Sequence, residues 1–155
     1  MLKTRWLPED PPLPEYPRPY MRRERWVTLN GWWDYAIAPR QQTTAPQPTG
    51  RIRVPYAIEA ALSGVQRALL PEERLWYRRD FASPLTPEEQ ASGARVLLHF
   101  GAVDWQAEVF INGKRAGSHE GGYTPFSFDI TEALRTGENG TSNEVVVAVY
   151  DPTNT

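Results

Sequence analysis

Few residues in this chain have a type and spacing suited to chemistry, and each has a plain structural use beside the reactive one. The two histidines, His99 and His119, are too far apart for a local metal motif. There is no cysteine, which excludes disulfides, thiolate catalysis and Cys-based zinc sites. No metal ligand set or cofactor motif is read. His119 precedes Gly121-Gly122. It could touch a sugar hydroxyl, or be a corner histidine bonded to backbone, and no carboxylate or second histidine stands at ligand spacing. Gly121 and Gly122 are expected to allow a bend with positive φ. Asp104 and Trp105 open a strand after a bend at Gly101, where an Asp side chain could bond nearby backbone or touch a sugar. Asn143-Glu144 enters the last strand with no partner carboxylate nearby and reads as a surface strand entry. Asp151-Pro152 ends that strand, where Asp before Pro can simply start a turn. The six tryptophans (6, 26, 32, 33, 76 and 105) could include a platform for pyranose rings. Most sit in strand patterns and read as core or interface; Trp32 and Trp76, opposite their strands' apolar faces, are the candidates for exposure.

The elements that must position these residues are short strands. Trp33, Tyr35 and Ile37 share one face after an Asn30-Gly31 turn, and Arg51 to Val54 form a strand stopped by Pro55. A brief helix or irregular turn is expected over Ile58 to Gly64, and a helical turn over Arg22 to Val27. Leu75, Tyr77, Arg79 and Phe81 alternate with Trp76, Arg78 and Asp80; an ion pair or a domain contact is the expected use of Arg78 and Arg79. Thr86-Pro87-Glu88-Glu89 has the form of a helix start, with Thr as cap and Pro at the first position. Val96, Leu98 and Phe100 share a face, as do Trp105, Ala107, Val109 and Ile111. Asn112-Gly113 then makes a type I′ hairpin turn, whose two central positions need positive φ. Phe126, Phe128 and Ile130 alternate with polar residues, and Thr131 is expected to cap a turn through Leu134. Residues 137–142 read as loop. Val145 to Tyr150 is apolar on both faces, the mark of a central, doubly covered strand.

About eight short strands with turns between them predict an all-β fold, an antiparallel β-sandwich of jelly-roll type. The 155 residues suffice for one domain with a core. Six prolines between Pro8 and Pro19 mark residues 1–21 as a proline-rich arm, leaving residues 22–155 for the sandwich. With 17 basic and 19 acidic side chains of mixed order, nothing resembles a basic surface for nucleic acid. No apolar run approaches the roughly 18 residues of a membrane span, and no export signal is visible, which makes the cytoplasm the default compartment.

These residues also carry a resemblance. It starts at Arg18-Pro19 and Trp26 and runs through Leu29-Asn30-Gly31-Trp32-Trp33-Asp34-Tyr35, then Val54-Pro55-Tyr56 and residues 59–65. It continues through Leu75-Trp76-Tyr77-Arg78-Arg79-Asp80-Phe81, Val103-Asp104 and Val109-Phe110-Ile111-Asn112-Gly113-Lys114, then residues 117–126, Phe128-Asp129-Ile130-Thr131 and Asn143-Glu144. No single tripeptide is specific, but the ordered set resembles the N-terminal sugar-binding domain of glycoside hydrolase family 2, which includes β-galactosidases, β-glucuronidases and β-mannosidases. The resemblance implies a galactose-binding-domain-like jelly roll that precedes an immunoglobulin-like domain and a catalytic (β/α)₈ barrel. The barrel supplies both carboxylates of a retaining double displacement. It therefore implies a glycosidase as the parent protein, partners in the barrel, the immunoglobulin-like domain and carbohydrate, no catalytic residue in this chain, and no hydrolysis by the chain alone. The family's acid/base sits in an Asn-Glu dipeptide, but here Asn143-Glu144 opens a strand. A final strand usual in the family is expected to be missing, leaving a sheet edge or groove open.

In the β-galactosidase branch an aspartate just after the last strand binds a sugar hydroxyl, a task suited to a carboxylate that accepts two hydroxyl protons. Asp151 is the matching position, although Pro152 stands where glycine is usual. Asp151, Trp76 and His119 are thus the candidate substrate contacts, and Asp104, Asn112, Gly113, Gly121 and Gly122 the structural motif. That branch also has an asparagine before the Trp76-Tyr77 strand, where this chain has Glu72-Glu73-Arg74, so the particular sugar does not carry over. Two other readings stand beside the accessory domain: a free-standing carbohydrate-binding module, and a structural or interaction domain without ligand.

Overall fold

The computed structural model describes residues 20, 25–135 and 141–151. Among them run eight strands: β1 (Gly31–Pro39), β2 (Gly50–Val54), β3 (Glu73–Ala82), β4 (Leu97–Phe100), β5 (Gln106–Ile111), β6 (Lys114–Glu120), β7 (Phe126–Asp129) and β8 (Ser142–Tyr150). One short helix, α1 (Pro87–Ala91), and 3₁₀ turns at Ala61–Ser63 and Thr131–Ala133 complete the elements. The expected proline-rich arm, Tyr20 apart, lies outside the described residues, as do Trp6, Pro152 and most of the loop expected over 137–142. Of the helical turn expected over 22–27, residues 25–27 are bend and coil. There the Thr28 hydroxyl accepts the Asn30 N–H, a local bond that competes with helix.

The chain divides into two compact units, Met1–Trp33 with Arg51–Ala68, and Asp34–Gly50 with Leu69–Thr155. In the larger unit the antiparallel strands run in the order β1-β3-β8-β5-β6, with β4 and β7 paired as a second sheet. The expected all-β antiparallel sandwich is the fold of this chain, and β8 is central, its residues 145–150 all buried.

The register sorts the side chains. Across β3, β8 and β5, Leu75, Val149 and Ala107 form one row, and Tyr77, Val147 and Val109 the next. This face looks into the sandwich, because Gly117 of β6, opposite Val109, lies against the ring of Phe128 on β7. Leu75, Ala107, Val109, Ile111 and Val145 are at most 1% exposed. Each buried aliphatic side chain of Val or Leu size contributes about 1.5–3 kcal/mol, so this face supplies much of the unit's stability. On the other face Ala38, Trp76, Val146 and Ala148 cluster, with Ala45 and Phe110 packed against them. Around that stripe runs a charge lattice. Glu108 accepts from Arg74 at 3.1 Å and from Arg115 at 3.3 Å, and Arg78 reaches Glu144 at 3.2 Å, the ion pair expected of it.

The hairpin between β5 and β6 has the expected turn, with Asn112 at φ 51° and Gly113 at φ 79°. Asn143, expected at the surface, is fully buried. The reason is parity: it lies on the same face as Val145, Val147 and Val149, and its side chain can enter the interior because both ends are bonded. Its Oδ1 accepts from the Arg135 N–H and the Asn112 Nδ2, both at 2.7 Å. The Thr86 cap is present as expected, reinforced by Glu89 in a reciprocal capping box. Thr131 is not the cap expected of it; Ile130 holds that position. The Thr131 hydroxyl instead donates to Asp129 Oδ1 at 2.6 Å and accepts the Val96 N–H at 2.8 Å, tying the end of β7 to the entry of β4. With further bonds from the Thr131 N–H and from Arg95, these hold the Asp129 carboxyl down at about 2.

In the smaller unit the turn expected over 58–64 is a 3₁₀ turn ended by Gly64 at φ 83°. Buried Ser63 donates to the Ile58 carbonyl at 2.9 Å, and the Trp33 indole donates to the Leu29 carbonyl at 2.7 Å. Trp32, half-buried, carries the guanidinium carbons of Arg51 and Arg53 at 5.4 and 5.9 Å from its ring centre.

Candidate functional site

Antiparallel pairing gathers the chemically interesting loops at one end of the larger sheet. There β8 ends at Tyr150, β5 begins and β6 ends. The Tyr150 carbonyl accepts the Trp105 N–H at 3.4 Å, and the Trp105 carbonyl accepts the Gly121 N–H at 2.8 Å. This ladder joins Asp151, which is half-buried, to the Asp104-Trp105 and Gly121-Gly122 corners. The Asp104–Trp105 peptide is cis.

Gly121 has the positive φ expected, at 119°, but Gly122 does not. The need for glycine at 122 is one of space: a Cβ there would stand 2.6 Å from Asp104 Cγ and nearer still to Oδ1. Asp104 thus packs across the corner against glycine backbone. His119, half-buried on β6, has Nε2 3.1 Å from the Thr124 hydroxyl and stacks on Phe126 with 4.2 Å between ring centres. Its polar partner is a side chain rather than the backbone expected of a corner histidine.

Trp76 departs from expectation most. It is 4% exposed, not an open platform. Its ring stacks near Phe110, 6.5 Å between centres, under the loop that carries Ala45. Parity correctly places it opposite the sandwich interior, but that face is covered here rather than wet. Its Nε1 is buried without a hydrogen-bond partner among the described residues. It lines a cavity of about 10 Å³ with Ala45, Pro46 and Pro48, space for about one water. Asn112 and Gly113 are at the opposite end of the sheet from Asp151, at the β5–β6 turn.

Sequence reasoning misses two participants. Arg40, exposed just beyond β1, sets its guanidinium carbon 3.9 Å from the centre of the Tyr150 ring, beside the residue that precedes Asp151. No periodicity marks a residue in the first turn of a loop. The other, at the opposite, Asn112 end of the sheet, is buried Asn143, for which a signal exists, since alternation from Val145 assigns it inward. The end of the sheet that carries Asp151 therefore brings together the carboxylates of Asp104 and Asp151 and, stacked on Tyr150, the guanidinium of Arg40. His99 Nδ1 and Ser127 Oγ also meet across β4 and β7. The neighbouring Asp129 gives its oxygens to Thr131 and Arg95 rather than to His99. Among the described residues no group of three or more His, Asp or Glu side chains is placed to hold a metal ion.

The family model described as glycosyl hydrolase 2 galactose-binding domain-like matches residues 25–155. A β-glucuronidase of Paenibacillus borealis is 30% identical over 146 residues, 90% of this chain and 23% of that protein. A β-galactosidase of Thermoanaerobacter pseudethanolicus is 45% identical over 62 residues, 40% of this chain and 8% of that protein. Among solved structures, a Bifidobacterium dentium β-glucuronidase complexed with coumarin-3-O-glucuronide superposes with a TM-score of 0.58 at 32% identity, over 78% of this chain and 19% of that one. The Faecalibacterium prausnitzii β-glucuronidase gives 0.59 at 30% identity, over 81% and 20%. The chain spans less than a quarter of the length of each of these proteins. With its sandwich fold and a match that takes in every strand, the chain belongs to the galactose-binding domain-like family of glycosyl hydrolase 2.

Proposed function

We propose that this chain is a non-catalytic accessory domain of a family 2 glycosidase. It packs on the catalytic barrel and the immunoglobulin-like domain and lends Asp151 to recognition of a substrate hydroxyl. The observation that carries the reading is the family match across residues 25–155 in a chain that spans so small a share of its glycosidase relatives. Support for Asp151 comes from its position directly after central strand β8, where the loops of β5 and β6 converge. A rigid central strand holds a terminal carboxylate with little entropy left to lose on binding. Arg40 stacks its guanidinium on the preceding Tyr150 and puts a cationic donor on the neighbouring residue.

The test is Asp151→Ala and Asp151→Asn in the enzyme that carries this domain. A hydrogen bond to a charged group contributes about 1.5–3 kcal/mol, so kcat/KM should fall roughly 10–100-fold in the Ala variant and less in Asn. Unchanged kinetics would remove Asp151 from the substrate contacts. Calorimetric titration of the 155-residue chain with glucuronate, galactose and mannose should show no saturable binding; saturable binding would favour a free-standing carbohydrate-binding module.

A further inference from the structure

Three Asn-Gly steps occur in this chain: Asn30-Gly31, Asn112-Gly113 and Asn139-Gly140. An Asn-Gly step is chemically labile because glycine has no Cβ to hinder its own nitrogen. That nitrogen attacks the asparagine carboxamide carbon, the new C–N bond closes a succinimide, and ammonia leaves with the old Cγ–Nδ2 bond. Water then opens the ring to aspartate or isoaspartate.

The surroundings of Asn112 bear directly on this reaction. Its carboxamide makes three hydrogen bonds: Nδ2 donates to the Ala133 carbonyl at 2.8 Å and to Asn143 Oδ1 at 2.7 Å, and Oδ1 accepts the Glu144 N–H at 3.0 Å. The backbone is pinned as well, since the Asn112 N–H donates to the Glu144 carbonyl at 2.9 Å. Cyclisation requires the carboxamide carbon to swing onto the Gly113 nitrogen, which breaks all three side-chain bonds at once.

We propose that Asn112 is a modification site gated by folding: protected from deamidation while the β5–β6 hairpin is closed, converted when it opens, and unable to close correctly once converted. The last part follows from the partners. An aspartate at this position has no N–H to give, so its carboxylate would face two acceptors, the Ala133 carbonyl and Asn143 Oδ1. Asn143 is fully buried, and turning its amide to donate to that carboxylate would take its oxygen away from the Arg135 N–H. Isoaspartate is worse, because it lengthens the main chain inside a two-residue turn. The pairing of Ile111 with Lys114 would be lost, and with it the register that sends Val109 and Ile111 inward. Deamidation at this one step would thus make a transient opening permanent.

The experiment is peptide mapping by mass spectrometry of the full chain, incubated at mildly alkaline pH with and without denaturing urea. In urea the three Asn-Gly steps should convert at similar rates. In native buffer, conversion at Asn112 should be at least about 100-fold slower than in urea, the suppression of an amide that reacts only through opening of a core hairpin. Equal rates at Asn112 in the two buffers would overturn the proposal. The second arm compares Asn112→Asp with the parent chain. The expected result is a lowered urea midpoint or loss of folded chain. A wild-type midpoint for Asn112→Asp contradicts the claim that conversion is self-sealing.

Discussion

Gly117 of β6 lies directly against the ring of Phe128 on β7, and adding one methyl group there should loosen the sandwich. A Cβ on residue 117 would sit 2.7 and 2.9 Å from Cδ1 and Cζ of Phe128 and nearer still to Cε1, whereas carbon atoms pack at about 3.5–4 Å. The ring has little room to retreat. Phe128 meets Phe126 edge-on at 5.6 Å, and Phe126 is stacked between Phe100 at 4.8 Å and His119 at 4.2 Å. Overpacking of this kind costs typically 1–3 kcal/mol, and the hemmed ring puts Gly117→Ala at about 2–3 kcal/mol. Urea unfolding followed by tryptophan fluorescence should show a lower midpoint with an unchanged slope. Phe128→Leu should destabilise the wild-type background, yet cost at least about 1 kcal/mol less in the Gly117→Ala background, because it opens the space the methyl group needs. A loss below about 0.5 kcal/mol for Gly117→Ala, or additive effects in the double variant, would refute the close contact of β6 with β7.

Two further outcomes follow from the polar contacts. Asn143→Ala should cost about 3 kcal/mol in urea unfolding, since it strands the Arg135 N–H, removes one acceptor from Asn112 and leaves a small cavity; a loss below about 1 kcal/mol would mean that water replaces the side chain at no great cost. Thr131→Ala should raise the Asp129 carboxyl above its present value of about 2, because the Thr131 hydroxyl is the largest contributor to the lowering. The depressed value stabilises the fold above the ordinary carboxyl value of 3.8, and that stabilisation is lost as pH falls from there toward 2. The variant should narrow this window, as read by carboxyl NMR titration; an unmoved Asp129 would assign the lowering to the Thr131 N–H and Arg95 instead.

Much of the fold was legible because its strands alternate. Ala107, Val109 and Ile111 are inward, as period two requires, Asn112-Gly113 takes the positive-φ turn its residue types favour, and apolar Val145–Tyr150 lies at the sheet's centre. The misses share a cause. Trp76 obeys its period, but period alone does not reveal that the loop carrying Ala45 covers its face. Thr131 has the composition of a cap, yet the Val96 N–H across the chain outcompetes the local one for its oxygen. Gly122 is glycine for the sake of Asp104, a neighbour 18 positions away in sequence but adjacent in space. Arg40 acts through stacking on Tyr150, a contact that no local pattern encodes. Residues placed by their own strand were readable; those placed by a distant partner were not.

The most direct measurement is turnover by the chain itself. Purified and folded, the 155 residues should release no nitrophenol above the buffer rate from nitrophenyl β-glucuronide or β-galactoside. Saturable hydrolysis of either, surviving removal of trace glycosidase contaminants, would contradict the assignment of this sandwich as an accessory to another domain's catalytic carboxylates.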